Sequence, residues 1–143
     1  MAAITDLGAL AERPLFEPVA GWLQAFGGSA PPDAAALNAA LAGMVPPESA
    51  GGAPIRFVRP EAGKGSYEER VFARGEVETR PGNWHDFFNA LAWLAYPQAK
   101  RTLNGRHHAA LQMQRAAGSG VRGSVRDAIT QFDECGIVVA SAS

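Results

Sequence analysis

The chain has little of several features that usually indicate a function. Among its 143 residues there is one cysteine, Cys135, which excludes an intramolecular disulfide and a zinc site built from cysteines. A single cysteine fits a reducing compartment, so we expect a cytoplasmic protein. No positive charge precedes Arg13, so the N-terminus does not resemble a secretory signal. The longest apolar run, residues 90–96, is far shorter than the roughly 20 residues of a bilayer helix, and we expect a soluble protein with no membrane contact.

Positive charge is also scarce over much of the chain. The formal net charge is -1, which argues against a protein that binds polyanions over its whole surface. Up to residue 53 there are five acidic residues and one basic residue. Residues 98–126, which we call the basic segment, contain no acidic residue. Its cations are Lys100, Arg101, Arg106, Arg115, Arg122 and Arg126. The basic segment is therefore the candidate anion-binding surface.

Hydrophobic periodicity predicts a single α+β domain with helices in its N-terminal part, residues 1–53, and a second part over residues 54–143. The first helix follows from apolar residues at helical spacing: Val19, Trp22, Leu23 and Phe26. Asp33 then caps a second helix that reaches about Met44. The chain length fits one domain with its own core.

Two β-hairpins are predicted in the second part, and they could form one antiparallel sheet. The first pairs the β-rich segments 55–59 and 69–74, with Gly75 ending the second strand. The other pairs segments 128–132 and 137–140 through a turn at 133–136 that ends in glycine. We expect two consecutive central helices to pack on this sheet.

The first central helix is the densest stretch of the sequence. Asn83 is its expected N-cap with Asp86 three residues later, and Pro97 ends it and starts the next helix, which runs to about Ala116. One face is apolar and is formed by Trp84, Phe87, Phe88, Leu91, Leu94 and Ala95. The opposite face carries His85, Asn89, Trp93 and Tyr96. Because a solvated face normally carries charged residues, we expect this second face to border a cleft or to be covered.

Candidate site residues lie on both central helices. The catalytic candidates are His85, Asp86, Asn89 and His107. The ligand-binding candidates are Asn104, Arg122, Arg126 and Tyr96, with the two arginines able to hold a phosphate. The competing interpretation is structural: Asp86 stabilises the helix start, and the histidines and amides only satisfy buried polar groups. The H-E-x-x-H zinc motif is absent, and the residues do not indicate whether a metal or any other cofactor binds.

Several motifs together resemble a known family. They are Asn83-Trp84-His85-Asp86-Phe87-Phe88-Asn89-Ala90-Leu91, Tyr96-Pro97-x-x-Lys100, Leu103-Asn104-Gly105-Arg106-His107 and the run from Arg126 to Gly136, with further similarity at 75–80 and 14–16. They resemble the bacterial domain-of-unknown-function family 3025. The resemblance implies a bacterial protein whose relatives continue past residue 143 with a Gly-His-containing segment, so that the chain would be a fragment. It implies no reaction.

The sequence leaves three functions open. The first is a hydrolase-like or phosphate-ligand site between the central helices. The alternative is a non-catalytic structural or protein-interaction module whose polar residues fix the fold. The third is nucleic-acid contact through the basic segment. The residues do not indicate which partner or oligomeric state the protein has, or whether it is an enzyme.

Overall fold

A computed structural model describes residues 6–61, 65–118 and 123–135. Its N-terminal part is helical, as predicted. It contains helix α1 (Leu7–Ala11), a 3-10 helix (Pro14–Val19), helix α2 (Ala20–Phe26) and helix α3 (Ala34–Leu41). Asp6 caps α1 by accepting a hydrogen bond from the backbone N–H of Gly8, and Asp33 caps α3 through Ala36.

The predicted first hairpin is wrong. Strand β1 (Arg56–Val58) is present, but the segment expected to pair with it is helix α4 (Tyr67–Arg74). Strand β2 (Glu76–Glu78) follows and pairs with β1 in parallel, with Phe57 opposite Val77. The unit is therefore strand, helix, strand, because parallel neighbours need a crossover connection.

Helix α4 forms because its charges and its end suit a helix. Glu68 and Glu69 lie in its first turn and Arg74 in its last, which matches the helix dipole. Gly75 follows in the left-handed conformation, φ 66°, and its N–H bonds the carbonyl of Arg70. A Cβ at this position would lie 2.0 Å from the carbonyl oxygen of Pro54, so glycine lets the end of α4 approach the start of β1.

The two central helices are confirmed. Helix α5 (Trp84–Ala95) begins at Asn83, whose side chain accepts the N–H of Asp86 at 2.9 Å, and helix α6 (Pro97–Ala116) follows at once. Phe87 and Leu91 are buried in the common core, as the apolar face predicts. Trp93, which the helical wheel placed on the opposite face, is also buried, at 2% exposure.

The predicted second hairpin is wrong as well. The segment expected to be a strand and a turn is helix α7 (Ser124–Cys135), and the expected second strand at 137–140 lies outside the described residues. Val125, Ile129 and Phe132 recur at helical spacing, and Asp127 lies in the favourable first turn. No antiparallel hairpin sheet occurs in the described part of the chain.

The core joins the two halves of the described chain. Residues from α1, α2 and α3 pack with β1, β2 and α5, and the largest fully buried side chains include Leu7, Leu23, Leu37, Phe57, Phe87, Leu91 and Trp93. No helix of the described residues is long and apolar enough to cross a membrane. The cytoplasmic location remains a prediction.

Gly75 gives a test of this architecture. Gly75→Ala should lower the free energy of unfolding by about 2–5 kcal/mol, because the methyl group meets Pro54 and the left-handed backbone disfavours a side chain. Urea unfolding measures this. The matched control is Gly21→Ala inside α2, where nothing lies within 4 Å and stability should rise by up to about 1 kcal/mol. Similar effects at both sites would contradict the close approach of α4 to β1.

Candidate functional site

A cavity of about 810 Å³ lies among α4, α5, α6, α7 and β2. Six of the eight predicted site residues line it: His85, Asp86, Asn89, Asn104, His107 and Arg126. Tyr96 does not line it and is half exposed at the junction of α5 and α6. Arg122 lies outside the described residues. The cavity thus collects side chains from elements that are distant in sequence.

Lys100 is a buried cation in the wall of this cavity, with 7% of the residue exposed. Its Nζ donates to Asn89 Oδ1 at 2.8 Å and to both oxygens of Asp133 at 2.7 Å. It also lies 5.8 Å from the ring centre of Trp93, within cation-π range. These bonds join α5, α6 and α7. Because three acceptors match the three N–H groups of an ammonium, Lys100 has no donor left for a ligand.

The bond to Lys100 also orients Asn89. The amide oxygen faces the ammonium, so the amide nitrogen faces Tyr67 and donates to its hydroxyl at 3.2 Å. Burial raises the pKa of Tyr67 well above its usual value, against the smaller opposing effect of the Asn89 hydrogen bond. Tyr67 therefore remains a neutral phenol in the cavity wall.

Asp86 has a structural partner. Arg80 donates to it from Nε at 2.8 Å, from Nη2 at 2.9 Å and from the backbone N–H at 2.9 Å. Burial alone would raise the pKa of Asp86, but the hydrogen bonds from Arg80 outweigh it and hold the pKa at about 2. Asp86 is thus ionised near neutral pH and is not a general acid. It fixes the segment after β2 to the start of α5.

His85 is a link between α5 and α7 at the edge of the cavity. Its Nδ1 lies 3.3 Å from Asp86 Oδ1, and its Nε2 lies 3.8 Å from Glu134 Oε1. The His85 side chain is 66% exposed. A histidine placed between two carboxylates and open to solvent can exchange protons with a ligand.

Asn104 and His107 lie on α6 facing α4. Asn104 accepts the backbone N–H of Ala50 at 3.2 Å and donates to the carbonyl of Glu68 at 3.3 Å, so its amide fastens α4 to the loop before β1. His107 is buried, and its Nε2 lies 3.9 Å from Glu68 Oε1. Asn104 therefore has a structural role, while His107 and Glu68 lie within charge-interaction range but beyond direct hydrogen-bond distance.

Arg126 differs from the other cations of the cavity. It is half-buried on α7, and its Nη1 donates to Gln114 Oε1 at 3.3 Å. Its Nε is buried without a hydrogen-bond partner. Within residues 6–61, 65–118 and 123–135, Arg126 makes no ion pair, whereas Arg80 and Lys100 each have a carboxylate.

A metal site is not favoured by these contacts. The described residues contain no group of three or more histidine, cysteine, aspartate or glutamate side chains arranged to hold a metal ion. Asp86 and Asp133, which could act as ligands, are already bound to cations.

Sequence reasoning missed several residues of the site, among them Tyr67, Glu68 and Asp133. All three lie on segments that the sequence did not predict as helix, and no sequence signal indicated that they approach α5 and α6. The sequence placed Lys100 only among the cations of the basic segment. The signal for it was present, since it belongs to the motif Tyr96-Pro97-x-x-Lys100.

The described residues form a mainly helical protein with a small parallel sheet and a cavity of ligand size that is partly open to solvent and lined by many polar side chains. The family model described as "Protein of unknown function (DUF3025)" matches residues 55–143. The chain therefore belongs to the DUF3025 family. No curated protein and no solved structure is significantly similar to it.

The family match covers most of the motifs on which the resemblance was based. Those of the second half lie inside the matched range, whereas Pro14–Phe16 lies outside it. The match begins one residue after the expected boundary at residue 54. The division of the chain at that boundary, its bacterial origin and its extent remain predictions.

The Lys100 network gives a test of how α7 is held. Asp133→Asn should lower the free energy of unfolding by about 1–3 kcal/mol, since it leaves a buried ammonium without a counter-charge. Hydrogen exchange should show the largest loss of protection in α7. The control is Glu69→Gln, which removes the partner of the exposed Arg115 and should cost less than about 1 kcal/mol. Equal losses, or unchanged exchange in α7, would contradict the role of Lys100.

The low pKa of Asp86 predicts a dependence of stability on pH. The folded-state pKa of about 2 lies below the ordinary value of 3.8, so the stabilisation is present above about pH 4 and is lost as the pH falls towards 2. Thermal melting of wild type and Asp86→Asn measures this. The difference in melting temperature should be largest at neutral pH and should shrink between pH 4 and 2. A constant difference would show that Arg80 does not stabilise the ionised form.

Proposed function

We propose that the cavity binds a small phosphate-bearing ligand and that Arg126 is its main contact. The observation that carries this proposal is the contrast between Arg126 and its neighbours. Lys100 and Arg80 are neutralised by Asp133 and Asp86, while Arg126 brings a half-buried positive charge with a buried Nε that lacks a partner. A buried charge is costly unless it is paired, so an anion in the cavity would relieve that cost.

The size and polarity of the cavity support a polar metabolite. Ligand sites usually occupy about 300–1,000 Å³, and this cavity has about 810 Å³. Most of the residues that line it are polar or charged, which disfavours a purely apolar ligand. Phosphate esters with polar bodies fit this chemistry.

Hydrolase-like chemistry is the further part of this proposal. His107 with Glu68, and His85 between Asp86 and Glu134, are the groups that could move protons to or from a bound ester. Asp86 would act only by orienting His85, since it stays ionised. Asn89 would not contact the ligand itself; it would orient the Tyr67 hydroxyl while its own amide is held by Lys100.

The non-catalytic alternative is favoured by a different observation. Most polar side chains of the cavity wall bond one another, as Lys100, Asn89 and Asp133 do, and such bonds alone would fix the fold. Helix α7 also leaves two large apolar side chains, Val125 and Phe132, 62% and 49% exposed. Exposed apolar side chains on one helix suit contact with a protein partner.

Nucleic-acid contact through the basic segment has less support. Lys100 is buried, Arg101 lies 3.7 Å from Glu48, and Arg115 is paired with Glu69. Contacts with phosphates along a nucleic acid need several accessible cations on one surface. Three cations of the segment are engaged elsewhere.

Arg126→Gln tests the proposed function. Isothermal titration with inorganic phosphate, glycerol 1-phosphate and ribose 5-phosphate should show binding of at least one compound to the wild type. The variant should bind it with about 10-fold or more lower affinity, because a hydrogen-bonded charge contributes about 1.5–3 kcal/mol. The control, Arg115→Gln on α6, should leave affinity unchanged, since Arg115 does not line the cavity. Binding to none of the compounds, or equal binding by both variants, would overturn the proposal.

A further inference from the structure

A chain of hydrogen bonds with a fixed direction runs from Lys100 through Asn89 to Tyr67. The ammonium of Lys100 can only donate, so it requires the oxygen of the Asn89 amide at 2.8 Å. The amide nitrogen must then face the Tyr67 hydroxyl, 3.2 Å away, and a nitrogen of this kind can only donate. The oxygen of Tyr67 is thus an acceptor in this chain.

The direction of the chain has a consequence for the hydroxyl proton of Tyr67. Because its oxygen accepts from Asn89, the proton is available to be donated elsewhere. Throughout the part of the chain that the structure describes, the bond from Asn89 is the hydroxyl's only hydrogen bond. Tyr67 is mostly covered by the protein, and what remains accessible lines the cavity. The cavity therefore contains a neutral donor in addition to the cationic Arg126.

We propose that Tyr67 is a ligand-contacting residue that donates its hydroxyl proton to an oxygen acceptor of the ligand body, and that Lys100 and Asn89 are the positioning residues that set this direction. This inference rests on the proposed function and narrows its ligand class. The ligand has a phosphate for Arg126 and, apart from it, a hydroxyl, ether or carbonyl oxygen for Tyr67. Inorganic phosphate satisfies only the first of these contacts.

The geometry of α4 supports this role. Tyr67 is the first residue of α4, and the adjacent Glu68 carboxylate faces His107 on α6. The phenol and the His107–Glu68 pair therefore belong to the same side of the cavity, whereas Arg126 comes from α7. A ligand body that contacts Tyr67 is thus also placed beside the groups able to transfer protons.

Tyr67→Phe tests the donor directly, because it removes the hydroxyl and keeps the ring. Titration with ribose 5-phosphate should show an affinity lower by roughly three- to tenfold, the usual effect of one neutral hydrogen bond, while the affinity for inorganic phosphate stays unchanged. Arg126→Gln should weaken both. Equal affinity of wild type and Tyr67→Phe for the ester would overturn this inference and leave the role of Arg126 intact. Binding of neither probe to the wild type would overturn this inference, and if glycerol 1-phosphate did not bind either, the proposed function would be overturned as well.

Asn89→Asp tests the direction of the chain. The carboxylate keeps the bond to Lys100 but has only acceptor oxygens, so the Tyr67 hydroxyl must turn and donate to it. The ratio of the affinities for ribose 5-phosphate and inorganic phosphate should fall as in Tyr67→Phe, although the melting temperature is retained. Using the ratio cancels the general repulsion of phosphate by the added charge. An unchanged ratio would show that Lys100 and Asn89 do not set the direction of the Tyr67 bond, and would overturn their positioning role.

Discussion

A buried ammonium group holds together the half of the molecule that contains the cavity. Lys100 has little exposure, so its charge must be compensated inside the protein. Asp133 supplies the counter-charge from α7 and Asn89 supplies a dipole from α5. The position of α7, the orientation of Asn89 and the hydrogen bond that Asn89 donates to Tyr67 all follow from this requirement. A cavity wall built in this way has its polar groups fixed by the protein's own contacts.

The parallel strand pair contributes differently, by placing α4 on the other side of the cavity. Strands β1 and β2 are short, so the backbone hydrogen bonds between them are too few to fix the position of the pair by themselves. The approach of Gly75 to Pro54 and the bonds of Asn38 to both backbone groups of Phe57 fix the pair to α3 and α4. The Asn38 amide occupies the edge of β1 where another strand could pair, which blocks an exposed sheet edge. As a result Tyr67 and Glu68, at the start of α4, are directed towards α5 and α6.

An element can be predicted from the sequence when its periodic segment is long and its ends are marked by capping residues or proline. The helices α5 and α6 are long, have an N-cap and a proline at their boundaries, and carry a clear helical period, so they were predicted correctly. Helix α4 has eight residues and one fully buried side chain, Val71, so its β-branched and aromatic residues resembled a strand. In α7 the run Ile129–Phe132 likewise resembled a strand, although Val125, one helical turn before Ile129, continues a helical period. Apolar patterns in segments this short do not distinguish the period of an α-helix from that of a β-strand.

The same limit applies to the candidate site. Residues on α5 and α6 could be grouped because helical spacing relates them, and six of the eight predicted residues line one cavity. Tyr96 was misplaced because the helical phase ends at that residue, where φ is -128° and ψ is 54°. The contact of Lys100 with Asp133 spans 33 residues, and no local pattern encodes such a pairing. Buried Lys100 therefore looked like one cation of a solvated segment.

The attachment of α7 links the cavity to the stability of the fold. Among its described side chains none is fully buried, and its bonds to the rest of the protein include those of Asp133, Glu134 and Arg126. Polar attachments of this kind stabilise less than apolar burial, because water competes for the same groups. A ligand bonded by Arg126 on α7 and by Tyr67 on α4 would join two helices that both pack on α6. Its binding free energy would then add to the stability of α7, since a ligand that binds only the folded state favours that state.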